Sequence, residues 1–232
     1  MGAMKKFKAV IFDLDDTLYP EIDYVISGFR VTANYISSKL KVEYEEVFNK
    51  LLALFKQNRN NVFNRFLEPY NVDEKFIDEC IKLYRNHFPD IKLNEEAQVI
   101  LQLLKKNEFK IGIITDGRPE GQRNKIKALE LERYCDSIII TDELGGIEYR
   151  KPSEIPYKKI FEQLNVEARE AIYVGDNPVK DFITANKLGM FTIMVKNSNS
   201  IHKQTEMSLS SEYLPKTTIN NLFDIKELLN LE

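Results

Sequence analysis

The chain is predicted to be an α/β protein, a doubly wound parallel sheet with a smaller all-helical domain, on three observations. Short apolar runs rich in β-branched residues, at Ala9–Phe12, 110–114, 137–141, 171–174 and Phe191–Val195, alternate with stretches of helical period over most of the sequence. Strands that recur after helices in this way describe a parallel sheet wrapped on both faces. Between about residues 21 and 87 the apolar residues recur at helical spacing, with no strand signal between them. Finally, several of the apolar runs stop abruptly at clusters of acid and hydroxyl groups, as strands do where they leave a buried sheet.

The first run, Ala9–Phe12, ends at Asp13, Asp15 and Asp16, followed by Thr17. Carboxylates crowded together repel one another and resist desolvation, so they either sit in water or share a cation and a protonated neighbour. A helical block follows: Val25, Ile26 and Phe29, then Val47, Phe48, Leu51, Leu52 and Phe55, then Phe76, Ile77, Cys80, Ile81 and Tyr84. Its turn-like breaks fall at 57–61 and 69–73, Asp73 has the chemistry of an N-cap, and Pro89 marks the return. Glu95–Lys106 is then expected to be a helix, 110–114 a strand ending in Thr115-Asp116-Gly117, 121–131 a helix and 137–141 a strand. Residues 153–164 read as a helix and 171–174 as a strand ending in Gly175-Asp176. After these come a helix at 181–188 with Gly189 at its end, the strand Phe191–Val195, an irregular surface loop at 197–214 and a closing helix at 225–229.

Composition narrows the function classes. Over 232 residues, 33 basic side chains face 36 acidic ones, a net charge of -3 that gives no electrostatic footprint for nucleic acid or an anionic membrane. No apolar run approaches a membrane span and no secretory signal is recognised, so a soluble, cytoplasmic protein is expected. The two cysteines, Cys80 and Cys135, lie in periodic apolar stretches and are read as buried structural thiols. His87 and His202 are read as surface or packing residues.

In an open parallel sheet, function gathers outside the carboxyl ends of the strands. Three strands end in polar clusters: Asp13-Leu-Asp15-Asp16-Thr17, Thr115-Asp116-Gly117, and Gly175-Asp176 with Asp181 beyond it. The loop after a fourth carries Arg150-Lys151-Pro152. Each cluster alone is explained by a turn or a helix cap. Four on one edge are not.

With these residues in their order, the sequence resembles the haloacid dehalogenase superfamily, whose four motifs they match from about Lys6 to Val195. The resemblance implies a Rossmann-like core formed by residues 1–18 and 91–232, with a helical cap, 19–90, inserted between the first and second motifs. Many relatives read Lys-Pro-x-Pro after the functional lysine, whereas here Glu154 follows Ser153.

The implied activity is a Mg²⁺-dependent phosphatase acting on a small-molecule phosphate monoester through an aspartyl phosphate. A phosphate ester repels nucleophiles, so a carboxylate attacker needs a cation that neutralises both partners and holds them in line. Asp13 would attack phosphorus. Asp15, with a pKa raised by its acidic neighbours, would protonate the leaving alkoxide and then deprotonate water. Thr115 would offer its hydroxyl, and Asp116 a backbone N–H, to the phosphoryl oxygens, with Lys151 supplying compensating charge. Asp13, the backbone carbonyl of Asp15 and Asp176 would hold Mg²⁺. Asp181 would orient a bound water or Lys151 without being a ligand itself.

Of the neighbouring residues, Asp16 is expected to cap the following turn and Thr17 to brace the nucleophile loop with its hydroxyl. Arg30 and the arginines within 118–123 are expected to face solvent. An acid at position 15 argues against the dehalogenating and phosphonate-cleaving members. A phosphomutase of the same superfamily and a catalytically silent interaction module stay open as alternatives. The expected partner is the small phosphate ester alone, with no nucleic acid and no membrane, and the protein is expected to be a monomer or homodimer.

Overall fold

A computed structural model describes residues 7–196 and 209–232. Most of the expected loop at 197–214, and His202 within it, therefore lies outside the described residues. The chain divides into two compact units, one containing the residues up to Glu21 and from Lys92 onward, the other Ile22–Ile91.

The first unit is built on six parallel strands: β1 (Ala9–Phe12), β2 (Lys110–Thr115), β3 (Ser137–Ile140), β4 (Ala171–Gly175), β5 (Phe191–Val195) and β6 (Thr217–Ile219). Their order across the sheet is β3-β2-β1-β4-β5-β6. The chain thus moves outward from β1 to β3 and then returns to lay β4 on the other side of β1. Phe12 is paired with Ile113 on one flank and Val174 on the other, which places the end of β1 at the point where the strand order reverses.

Every residue of β1 and β4 is buried, as expected of strands covered on both faces. Helices α5 (Glu95–Lys106), α6 (Pro119–Ala128), α7 (Ile155–Leu164), α8 (Phe182–Leu188) and α9 (Asp224–Leu229) belong to the same unit. One core cluster joins Ile11 and Tyr173 of the strands to Tyr157, Ile160 and Phe182 of the helices. Full burial of an apolar side chain such as Phe182 contributes about 1.5–3 kcal/mol.

Two departures from the sequence-based expectation have local causes. Helix α6 begins at Pro119, whose fixed φ and missing N–H suit the first helical turn, and ends at Ala128 instead of running over 121–131. Strand β6 was not anticipated, because three residues of which two are threonines carry no apolar run.

The second unit contains α2 (Tyr44–Gln57), α3 (Val62–Leu67), α4 (Glu74–Asn86) and all but the first residue of α1 (Glu21–Leu40). Its core gathers Val25, Phe29, Ile36, Val47, Leu51, Phe63 and Cys80. Asp73 caps α4, its carboxylate accepting a hydrogen bond from the Phe76 amide at 2.9 Å. Between α1 and α2 the chain turns through Lys41, which has a φ of 59°, a break with no Gly or Pro to announce it. His87 is a packing residue, its ring 4.7 Å from that of Tyr24 and its Nδ1 2.7 Å from the Tyr84 carbonyl. Among the described residues no helix is long and apolar enough to cross a membrane.

Candidate active site

Asp13 extends β1 by one residue: its amide donates to the Val174 carbonyl of β4 at 2.8 Å, so the ladder itself fixes where its side chain emerges. The carboxylate is 1% exposed. A buried carboxylate is tolerated only with charge partners. Asp13 has two, Lys151 Nζ at 2.6 Å from Oδ1 and Lys180 Nζ at 3.4 Å from Oδ2. Burial alone would raise its pKa; the ammonium groups of Lys151 and Lys180 overcome that and hold it at about 2. Asp13 is therefore an ionised carboxylate throughout the neutral range, the state a nucleophile needs.

Lys151 is also buried and bridges two acids, reaching Asp181 Oδ1 at 2.7 Å as well as Asp13, and its Nζ donates to the Tyr173 hydroxyl at 3.0 Å. Burial works against its charge, but the facing carboxylates of Asp13 and Asp181 raise its pKa well above the ordinary lysine value. Its backbone is tied as well, the amide donating to Asp116 Oδ1 at 3.0 Å, the same oxygen that takes the Thr141 hydroxyl. Arg150, beside it, forms a two-pronged pair with Asp142 at 2.7 Å on each arm. The loop after β3 is thereby pinned at the Arg150 side chain and at both the backbone and the side chain of Lys151.

Asp176 and Asp181 come from the end of β4 and the start of α8. Asp181 Oδ2 accepts the Asn177 amide at 2.9 Å, and a Cβ on Gly175 would lie 2.5 Å from that same oxygen, so the residue before Asp176 has to be glycine for Asp181 to sit where it does. One carboxylate oxygen from each of Asp13, Asp176 and Asp181 lies within 4.8 Å of the others. Burial, and then the charges of Asp181 and Asp13, push the Asp176 carboxyl up to about 8. An all-oxygen, acid-rich set of this kind is the donor chemistry of a hard divalent cation, whose charge would relieve the repulsion that now favours a proton on Asp176. Asp13 and Asp176 fit such an ion; Asp181 stands beside them, but its Oδ1 takes Lys151 and its Oδ2 the Asn177 amide.

Asp15 differs from its sequence-based expectation. Its acidic neighbours were expected to raise its pKa. Burial does act in that direction, but a cation opposes it: Lys125 Nζ of α6 stands 2.7 Å from Oδ1, and Asp15 is shifted below the ordinary aspartate value. Tyr19 donates its hydroxyl to the same oxygen, and Gln122 Nε2 reaches Oδ2 at 3.1 Å. Gln122 also donates to the hydroxyl of Thr115 at the end of β2, linking Thr115 to Asp15.

The remaining expectations divide. Asp16 caps the following turn, its Oδ1 accepting the Glu21 amide at 2.9 Å, in a left-handed backbone conformation of φ 57°. The Thr17 hydroxyl was expected to brace the loop, but it is buried with no hydrogen-bond partner among the described residues, so the brace is made by Asp16 instead. Arg30, Arg118 and Arg123 are exposed, Arg123 pairing with Glu143 at 2.6 Å. Cys80 is buried as expected; Cys135 is only partly so, because it sits in the turn leading into β3 and not on a strand or helix face.

Lys125, Gln122 and Lys180 were missed in the sequence. Gln122 lies within the basic stretch 118–123, whose arginines were expected to face solvent, and Lys125 lies just beyond it. A signal was nonetheless present: the buried stripe of α6 reads Gly121, Gln122, Lys125 and Ile126, polar at two of the positions where a core-facing helix carries aliphatics.

Comparison with known proteins places this arrangement in context. The model of the haloacid dehalogenase-like hydrolases matches residues 10–195. The chain is 30% identical to the glyceraldehyde 3-phosphate phosphatase of Pyrococcus furiosus, over 99% of this chain and 95% of that protein. It is likewise 30% identical to the pyrophosphatase PpaX of Bacillus mycoides, covering 82% and 84% of the two chains. In fold it is similar to a HAD phosphatase from Thermococcus onnurineus, with a TM-score of 0.64 and 23% identity over 97% of this chain and 99% of the other.

Proposed function

The chain belongs to the haloacid dehalogenase-like hydrolases, and from that premise we propose that it is a divalent-metal-dependent phosphatase that hydrolyses a small phosphate monoester through an aspartyl phosphate on Asp13. It is a phosphoric monoester hydrolase by its likeness to the phosphatases above. The observation that carries the finer reading is the state of Asp13: a buried, ionised carboxylate at a strand end, held by Lys151 and grouped with Asp176 and Asp181.

When bound by Asp13 and Asp176, with the backbone carbonyl of Asp15 as the third ligand the protein would offer, a Mg²⁺ ion would neutralise the phosphoryl oxygens and the incoming carboxylate. Lys151 supplies further positive charge beside Asp13, and Asp181 keeps that lysine in place. A carboxylate oxygen of Asp13 attacks phosphorus as the bond to the ester oxygen breaks, and the departing alkoxide takes a proton from Asp15. Asp15 is ionised in the resting arrangement. The arrival of a phosphate dianion raises its proton affinity, by placing a like charge beside it, so that Asp15 takes up from solvent the proton it then gives to the alkoxide. Water then attacks the phosphorus of the aspartyl phosphate, giving its proton to Asp15, and the P–O bond to Asp13 breaks to release phosphate and restore the carboxylate. Thr115 and the Asp116 amide are the proposed hydrogen-bond donors to the phosphoryl oxygens. The helical unit is the proposed cap that selects the leaving group.

The test is phosphate release from a panel of phosphorylated metabolites, with glyceraldehyde 3-phosphate and pyrophosphate among them, in the presence of Mg²⁺. Release is expected from at least one small ester, stopped by EDTA and restored by Mg²⁺. Asp13→Asn is expected to lower it on the order of 10⁴-fold or more while the circular dichroism spectrum is retained. Full activity in Asp13→Asn would refute the aspartyl phosphate, and no release from any ester would leave the silent interaction module as the better reading.

A further inference from the structure

We infer that Lys125 and Gln122 form a positioning clamp for the Asp15 carboxyl, fixing the orientation in which it meets the leaving oxygen of the substrate. The inference rests on the phosphatase reading above and adds to it two residues that lie in none of the four motifs.

The argument begins with helix α6. Its inward stripe places Gln122 and Lys125, three residues apart, on one face, at 4% and 5% exposure. Burying an amide and an ammonium group there is unfavourable unless each finds partners. Both find Asp15. Lys125 Nζ binds Oδ1 at 2.7 Å and Gln122 Nε2 binds Oδ2 at 3.1 Å, while the Tyr19 hydroxyl adds a second donor to Oδ1. With both oxygens engaged by donors from one helix, rotation of the carboxyl about its Cβ–Cγ bond breaks at least two of these contacts. Gln122 is itself held against the Thr115 hydroxyl, so the clamp ties the proposed acid to a proposed phosphate-binding group. Gly117, with a φ of 143°, completes the design: a Cβ there would lie 3.1 Å from the Gln122 side chain, in a backbone conformation that side chains rarely adopt. Lys151 serves Asp13 from the loop after β3, and Lys125 serves Asp15 from α6, so the two aspartates have separate cationic partners.

A positioning role makes a prediction that a packing role does not. An alkyl phosphate needs a proton delivered to its leaving oxygen, whereas 2,4-dinitrophenyl phosphate leaves without one. Lys125→Met is expected to lower kcat/KM for an alkyl phosphate by about 10²-fold and that for 2,4-dinitrophenyl phosphate by no more than a few-fold. Lys125→Arg is expected to recover part of the alkyl activity. Should Lys125→Met not fold, Lys125→Gln, a neutral donor of smaller reach, is read in the same way. An equal loss on both substrates overturns the inference in favour of simple packing, and no loss on either overturns it outright. Asp15→Asn in parallel separates the two levels of the argument. If Asp15→Asn shows the leaving-group discrimination and the Lys125 variants do not, the clamp fails alone. Without that discrimination in Asp15→Asn, or with neither ester cleaved by the unaltered protein, the role given to Asp15 fails and the clamp with it.

Discussion

The two units of this chain solve the problem of an interior in opposite ways. In the sheet unit, Asp13, Lys151 and Asp181 are all buried, and their charges meet within 2.7 Å of one another in pairs. In the helical unit the interior is made of rings and aliphatic side chains, and the ion pair Arg30–Asp90 lies on the surface. Buried charges rarely add net stability, because desolvation offsets most of their attraction. Their concentration at one sheet edge therefore marks a place selected for chemistry, and the rings of the other unit mark one selected for packing. Substitutions should separate accordingly, with activity lost from the first and stability from the second.

The largest stability effect is expected at Phe29. Its ring is 2% exposed and meets Phe55, Phe63 and Tyr84 at centroid distances of 5.8, 5.9 and 5.4 Å. Phe29→Ala removes that ring from the junction of three others and is expected to destabilise the helical unit by about 3–5 kcal/mol, read from the urea midpoint at unchanged slope. A loss below about 1 kcal/mol would break the comparison, since it would mean that the rings are not what holds this unit.

A smaller effect, on activity, is expected at Gly175. Alanine there puts a methyl group 2.5 Å from Asp181 Oδ2, and Asp181 has little freedom to withdraw because its two oxygens are engaged by Lys151 and by the Asn177 amide. The carboxylate must shift, and Lys151 with it. Gly175→Ala is expected to lower kcat/KM by about 10²-fold, with an overpacking penalty of about 1–3 kcal/mol seen by thermal melting. Unchanged turnover would show that the placement of Asp181 is not critical to the site.

How far these features could be read from the sequence follows from what makes a signal local. Strand β1 was legible at Ala9–Phe12 because a run buried on both faces is apolar throughout, and the acids after it stand out against that run. The partition of polar clusters among strand ends was legible for the same reason. Strand β6 was not, since two of its three residues are threonines, and the turn through Lys41 lacks the asparagines that marked the break at 57–61 and the proline that marked the one at 69–73. Lys125 was the more instructive miss. A buried lysine and an exposed one look alike in a sequence, and only the three-dimensional position of Asp15, 110 residues away, tells them apart. The expected rise in the pKa of Asp15 failed on the same point: its acidic neighbours are close in sequence, but the cation that decides its state is not.

The smallest effect concerns the two thiols, which stand one in each unit and so report on the comparison directly. Burial and then Glu79 push Cys80 up to about 12; burial and then Asp136 do the same for Cys135. At pH 8 a thiol with that pKa is ionised in about one molecule in 10⁴, so neither is expected to react quickly with 5,5′-dithiobis(2-nitrobenzoate) in the native protein, and both should react at once in strong denaturant. The difference between them is access. Cys80 is enclosed by the helical core, whereas Cys135 is partly exposed. Slow native modification is therefore expected at Cys135 first, and Cys80 should wait for opening of its own core. Phe29→Ala loosens that core and is expected to bring the urea midpoint for Cys80 modification down while leaving the rate at Cys135 unchanged in native buffer. Equal acceleration of both thiols by this substitution would mean that the two interiors do not open as separate cooperative units, and the division of labour between charge and packing would have to be drawn elsewhere.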